Sequence, residues 1–166
     1  MSGGAHLNAA RHGVVVGLAV CCAIGLAGCG SDTDVPDFPV AASQQAGCRT
    51  LLDHLPTRIA DEAERPSTGS AFAAVYGDPP IIVRCGVSRP KDYATDPCVT
   101  RDGIGWSIPL AQTEDNESDV TLTLAHRTPV LQVVVPAHYR PNGPSEVMAD
   151  LDQTVRSHTT AQGRCT

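Results

Sequence analysis

Four widely spaced cysteines constrain the fold of this chain more than any other feature of its sequence. The chain has seven cysteines, of which four lie beyond residue 29. An even number of cysteines in the mature part of an exported chain is typical of a disulfide framework, and four cysteines allow three pairings. Zinc is disfavoured, because no two of the four have the close spacing that zinc-binding motifs use. We therefore expect two disulfides and no metal or other cofactor. The four residues are Cys48, Cys85, Cys98 and Cys165.

The N-terminal segment indicates that the chain is exported. Arg11 precedes an uncharged apolar run over residues 14–27. This run of about 14 residues is shorter than the roughly 20 that a permanent transmembrane helix needs, so it is typical of a cleaved signal. The run ends in Leu26-Ala27-Gly28-Cys29, which has the pattern of a lipobox. We predict a lipoprotein signal peptide over residues 1–28 and a lipid on Cys29.

Lipidation would decide where the protein lies in the cell. Two acyl chains on Cys29 would hold it on the outer face of the cytoplasmic membrane. Processing removes Arg11 and no acidic residue, so the net charge of −6 becomes more negative and nucleic acid is disfavoured as a partner. Residues 29–46 are polar and interrupted by prolines, which predicts a flexible tether. Residues 47–166 are long enough for one domain.

Apolar residues at helical spacing predict an N-terminal helix that Pro56 interrupts or ends. Its cysteine would lie on the buried face of the helix, together with leucines one and two turns further on. The residues that form this face are Cys48, Leu51, Leu52, Leu55 and Ile59.

Residues 81–87 alternate between apolar and other side chains, which predicts a strand with Cys85 on its buried face. Cys48 on the buried face of a helix and Cys85 on the buried face of a strand are well placed to meet. Cys48–Cys85 with Cys98–Cys165 is therefore the preferred pairing. The sequence leaves all three pairings open.

The rest of the chain predicts two hairpins and a final helix. Asp102-Gly103 is typical of a two-residue hairpin turn, and residues 120–124 and 130–135 predict a second hairpin. Behind the loop at 141–144, Ser145 would cap a helix that buries its apolar face. Together these elements predict an α+β fold, in which an N-terminal and a C-terminal helix cover a mostly antiparallel sheet of about five strands. The apolar face of the last helix is formed by Val147, Met148, Leu151 and Val155.

Three blocks of sequence, over residues 48–56, 76–87 and 127–141, resemble in this order the DUF3515 family of uncharacterised actinobacterial lipoproteins. The middle block is the most specific, because a Gly-Asp-Pro-Pro entry to a cysteine-bearing strand is uncommon. Tyr76 stands where the family typically has tryptophan, and Asp102 where asparagine is usual. The resemblance implies an envelope protein without an assigned activity.

Three residues are candidates for binding: Asp78, Arg127 and Tyr139. A turn role is favoured for Asp78, since aspartate before proline commonly bonds its own backbone. No Gly-x-Ser-x-Gly, Ser-x-x-Lys or His-Glu-x-x-His motif occurs, and the histidines are scattered singly. The acidic segment 114–119 lacks the pattern of a calcium loop and is expected to be solvated and mobile. We therefore expect no catalytic residues and no enzymatic activity.

Three functions are compatible with these features. The favoured hypothesis is a module that binds or assembles with another envelope protein. The alternative is a carrier or sensor of a small apolar or glycan ligand, held between the helices and the sheet where Ala71, Ala73 and Ala74 leave room. The third is an envelope hydrolase that uses Asp78 and a histidine as acid and base.

Overall fold

The computed structural model describes residues 1, 3 and 32–165. The predicted signal peptide, apart from residues 1 and 3, and the predicted lipidated Cys29 lie outside these residues. None of the described helices is long and apolar enough to cross a membrane. The strands are β1 (Thr33–Val35), β2 (Arg58–Ile59), β3 (Glu62–Arg65), β4 (Ser67–Gly69), β5 (Ala73–Tyr76), β6 (Ile81–Cys85), β7 (Cys98–Arg101), β8 (Ile104–Ser107), β9 (Val120–Leu124), β10 (Arg127–Thr128), β11 (Leu131–Val135) and β12 (Thr160–Ala161). The helices are α1 (Ala42–Leu52), α2 (Leu110–Thr113), α3 (Gly143–Asp150) and α4 (Asp152–His158), with a 3₁₀ turn at Ala137–Tyr139.

The main sheet is antiparallel throughout and has the strand order β2-β3-β5-β6-β11-β9-β8-β7. The predicted α+β class and the mostly antiparallel sheet are confirmed. The sheet contains eight strands where about five were expected. The strands that the sequence did not reveal are short. β2 and β3 lack the apolar alternation that identifies a half-buried strand.

One face of this sheet packs against the helices and forms the core. Alternate residues of β6, β9 and β11 are buried there, as the sequence pattern predicts. The predicted apolar face of the final helix is confirmed as buried. Trp106 on β8 is fully buried and lies in the same cluster as Leu51 of α1 and Leu151. Aliphatic and aromatic side chains from both layers therefore form one core.

Both preferred disulfides are confirmed. Cys48 on α1 bonds to Cys85 on β6, with the two Cα atoms 5.4 Å apart, and neither residue is exposed. Cys98 on β7 bonds to Cys165 in the C-terminal segment, with a Cα separation of 5.7 Å. The first disulfide lies inside the core, and the second joins an edge strand to the end of the chain.

The prediction of a flexible tether over residues 29–46 is wrong from residue 33 onwards. β1 pairs in parallel with β4, and Val35 is 1% exposed. Gln44, in the first turn of α1, accepts a hydrogen bond from the Val130 amide at 2.9 Å. These contacts attach the segment to the domain, whereas its polar composition concealed that Val35 is buried.

The N-terminal helix begins and ends earlier than predicted. It starts at Ala42, where alanine and glutamine favour helix, and it ends at Leu52. Pro56 disfavours helical backbone at Leu55, and the chain leaves the helix through short turns before that residue. Ile59 is buried from β2, so its assignment to the helix was wrong.

The final helix also differs from the prediction at its start. It begins at Gly143, so Ser145 lies inside the first turn and caps nothing. The Ser145 hydroxyl instead accepts a hydrogen bond from Arg101 Nη1 at 2.6 Å. Leu151 separates α3 from α4, and the pair occupies the place of the single predicted helix.

Tyr76 links the sheet to the loop after α1. Its buried hydroxyl donates a hydrogen bond to the Pro56 carbonyl at 2.8 Å. Burial, and next the negative charge of Glu64, raises the pKa of this phenol well above its ordinary value of 10.0. The hydroxyl therefore remains a donor under all ordinary conditions.

The raised pKa of Tyr76 predicts an alkaline loss of stability. In the unfolded chain the phenol ionises near pH 10, so its contribution is fully present below that pH and is lost as pH rises toward the folded-state pKa. Tyr76→Phe should cost about 1 kcal/mol at pH 7, because it removes one buried hydrogen bond. It should also flatten the decline above pH 10. Urea unfolding at pH 7 and pH 10.5 measures both effects, and an equal alkaline decline in the variant would contradict the assignment.

Candidate functional site

The structure brings two of the three candidate residues together and places the third elsewhere. The Tyr139 hydroxyl donates a hydrogen bond to the Pro79 carbonyl at 2.8 Å, which holds the loop that contains Asp78. The Asp78 side chain is 82% exposed and lies 3.6 Å from Arg65 Nη1. Arg127 lies on β10, which pairs with β12 and takes no part in the main sheet.

The contact between Tyr139 and the Asp78 loop is structural in character. Burial, followed by the charge of Glu62, raises the pKa of Tyr139, so its phenol stays a hydrogen-bond donor. Gly77 has a φ of 69°, and a Cβ atom there would approach the Tyr139 oxygen to 2.6 Å. Glycine is therefore required for this turn to pack under the tyrosine. Asp78 lies in a turn as predicted, but its side chain points outward toward Arg65, and the structure shows no bond from it to its own backbone.

Arg127 lies at a cleft on the face of the sheet opposite the core. Its Nε donates to the Thr159 hydroxyl at 2.6 Å and its Nη2 to the Thr159 carbonyl at 3.0 Å. Burial, and next the positive charge of Arg156, lowers the pKa of Arg127. The guanidinium nevertheless remains charged at any physiological pH. The cleft has a volume of about 400 Å³ and is lined by Thr100, Gly103, Gly105, Ala125, Arg127, Gly163, Arg164 and Cys165.

The Cys98–Cys165 disulfide forms one wall of this Arg127 cleft. It lies against β8 at Gly105, where any Cβ atom would overlap the Cys165 sulfur. Glycine at this position lets the C-terminal segment lie directly on the sheet. A second cleft of about 390 Å³ is lined by both cysteines of this disulfide, with Tyr93 and His126 also in its lining. The two clefts share Ala125 and Cys165 and are therefore neighbours.

The strand that carries Cys98 is an edge of the sheet. Within residues 32–165, β7 pairs with β8 alone. The two-residue turn makes Arg101 and Ile104 a hydrogen-bonded pair, and such pairs alternate along an antiparallel ladder. The backbone N–H and C=O groups of Cys98 and Thr100 therefore point away from β8. These groups can bond to another strand.

Exposed apolar side chains occur on and near this edge strand. Val99 of β7 is 40% exposed, and Leu110, which begins α2, is 60% exposed. No other large apolar side chain in residues 32–165 is exposed. Ala71, Ala73 and Ala74, which the ligand-carrier hypothesis used, line neither of the two clefts beside the disulfide.

The remaining candidate groups do not converge on one site. Every cysteine in residues 32–165 belongs to a disulfide. His54 and His158 stack with ring centroids 4.2 Å apart, so the expectation of singly scattered histidines is wrong for this pair. No group of three or more metal-type ligands occurs in the described part of the chain.

The acidic segment at 114–119 is more ordered than predicted. Asp115 accepts hydrogen bonds from the Ser118 hydroxyl and the Glu117 amide, which lower the pKa of its carboxyl. Arg140 donates to the Asp115 carbonyl at 2.8 Å and to Asn116 Oδ1 at 2.9 Å. These bonds close the segment into a turn, which the sequence pattern did not reveal because Arg140 lies outside it.

The contrast between Tyr139 and Asp78 gives a direct prediction. Tyr139→Phe should lower the free energy of unfolding by about 1 kcal/mol, because the hydrogen bond to Pro79 is lost. Asp78→Asn should change it by less than about 0.5 kcal/mol, since an exposed ion pair contributes little. Urea unfolding of the two variants measures both values. A larger loss in Asp78→Asn than in Tyr139→Phe would reverse the structural assignment.

Comparison with known proteins agrees with the resemblance found in the sequence. Neither a curated protein nor a solved structure matches the chain. The sequence model of one family, described as a protein of unknown function (DUF3515), matches residues 12–163. The matched range includes all three blocks that carry the resemblance and the edge strand β7. It also includes the residues that line the Arg127 cleft as far as Gly163. The chain belongs to the DUF3515 family.

Proposed function

We propose that this protein is a cell-envelope lipoprotein, anchored through lipid on Cys29, whose domain binds another envelope protein without catalysing a reaction. The lipobox and the short apolar run before it support the anchor. The outward-facing backbone of β7 supports the binding role and is the observation that carries the proposal. An anchored domain of this kind holds its partner at the outer face of the cytoplasmic membrane.

The chemistry of the β7 edge selects an extended polypeptide as the partner. Two N–H groups and two carbonyls, from Cys98 and Thr100, repeat at the spacing of a strand and match the backbone of an added strand. Val99 offers an apolar contact on the same strand. Strand addition of this kind takes its affinity from the main chain, and it takes its specificity from alternate side chains.

The other edge of the sheet is a poorer site for strand addition. β2 has only two residues, Arg58 and Ile59, and Ile59 is fully buried. The neighbouring Ala60 amide is already bonded to Asp150 Oδ2 of α3 at 2.8 Å. A short edge covered by a helix is a usual protection against pairing, so β7 is the edge that we assign to the partner.

The experiment is crosslinking and affinity capture of the lipidated protein from its own membranes, with a matched pair of substitutions at Thr100. Thr100→Pro removes the outward N–H, and proline is tolerated at such a position of an edge strand. Thr100→Val also removes the hydroxyl but keeps the N–H. We expect Thr100→Val to recover the wild-type partner and Thr100→Pro to recover at most about a tenth as much, because a strand ladder is interrupted.

Cys29→Ala is the control for the anchor in the same experiment. The wild-type protein should incorporate labelled palmitate and sediment with membranes, whereas Cys29→Ala should do neither. Equal capture by Thr100→Pro and Thr100→Val would contradict the β7 assignment. Membrane association of Cys29→Ala equal to the wild type would contradict the anchor, independently of the result at Thr100.

A further inference from the structure

Arg127 carries a charge that the described residues do not neutralise. No carboxylate in residues 32–165 forms an ion pair with it. Two of its nitrogens are fixed by Thr159, and Nη1 has no hydrogen-bond partner among those residues. The Thr159 hydroxyl in turn donates a hydrogen bond to the Val155 carbonyl at 2.6 Å, so the oxygen that accepts from Arg127 Nε is itself fixed. The guanidinium is thus held in one orientation with part of its donor fork unused.

Two further arginines lie near Arg127, and one of them is already paired with a carboxylate. Its charged neighbour is Arg156, which pairs with Asp152 at 2.8 Å, and Arg164 lines the same cleft. Arg127 is partly buried, whereas Arg156 and Arg164 are exposed. In a chain with a net charge of −6, a local group of arginines is an exception.

The Arg127 cleft is open beside Gly103. The other two glycines in its lining are covered, Gly105 by the Cys165 sulfur and Gly163 by the His126 ring. Nothing lies within 4 Å of the position that a Cβ of Gly103 would occupy, so this side of the cleft is open. Thr100, opposite Gly105 on β7, lines the same cleft.

We infer that the Arg127 cleft binds an anionic group, a phosphate or a carboxylate, through Arg127 and Arg164. Arginine binds such groups with parallel N–H donors, which suits the unused part of the fork. The anion belongs either to a free small molecule or to an acidic side chain of the strand that pairs with β7, because Thr100 lies on both the cleft and that edge. The anion site itself rests on the geometry of Arg127 and does not depend on the proposed function, whereas the acidic side chain as its source rests on the proposed pairing of a strand with β7.

Titration of the full-length protein in detergent micelles, labelled with ¹⁵N-glycine, tests the site. Inorganic phosphate and acetate are added at constant ionic strength, and the amide shifts of Gly103, Gly105 and Gly163 are recorded. We expect saturable shifts confined to these glycines. Arg127→Gln should weaken the binding about tenfold or more, as expected for loss of a charge-assisted hydrogen bond. Arg164→Gln, which changes an exposed residue and leaves the fold intact, should weaken it several-fold.

Arg49→Gln is the matched control, because it removes the same charge from α1, outside the cleft lining. It should bind as the wild type does.

A second arm uses an acetylated, amidated Thr-Glu-Thr peptide and its Thr-Gln-Thr counterpart. Saturation by phosphate or acetate assigns a small anion, and saturation by the glutamate peptide alone assigns a partner side chain. No saturable shift with any probe, or equal binding by Arg127→Gln and Arg49→Gln, would overturn the inference.

Discussion

The Cys98–Cys165 disulfide lies directly on the backbone of β8 at Gly105, and the outer face of the domain depends on this contact. It fixes the end of the chain against the sheet, beside the short pairing of β12 with β10. That pairing brings Thr159, which precedes β12, to the guanidinium of Arg127. The disulfide, for which the absence of a side chain at Gly105 leaves room, and the β10–β12 pairing therefore shape the cleft together.

The two disulfides have different roles because they lie on opposite faces of the sheet. Cys48–Cys85 is fully buried and joins α1 to a central strand, where it packs as part of the core. Cys98–Cys165 is partly exposed and joins an edge strand to the chain terminus. The inner face is thus closed by helices, and the outer face carries the open edge and the clefts. The proposed binding uses the backbone groups of β7 that have no partner strand and the Arg127 guanidinium, which has no ion-pair partner, both among residues 32–165.

The sequence was informative wherever local chemistry decides the structure. Asp102-Gly103 formed the expected turn, with both residues at positive φ, and the alternation over residues 81–85 matched β6. The faces that Cys48 and Cys85 occupy favoured the pairing that the structure shows, and Cys98–Cys165 was the pair that remained, although the sequence allowed all three pairings. β1 and β3 were missed, because neither shows the apolar alternation that identifies a strand, and β1 pairs with a strand distant in the chain. The Arg127 cleft was beyond reach for the same reason. Arg127 was identified as a candidate, but Thr100 and Cys165 meet it only after folding.

Amide hydrogen exchange along β7 tests the open edge most directly. In the purified full-length protein, the amides of Val99 and Arg101 should exchange slowly, because they bond to β8, whereas the Thr100 amide should exchange at close to the rate of an exposed loop. Addition of the partner should protect Thr100. Protection of Thr100 equal to that of Val99 in the protein without its partner would contradict the account, since the edge would then already be covered.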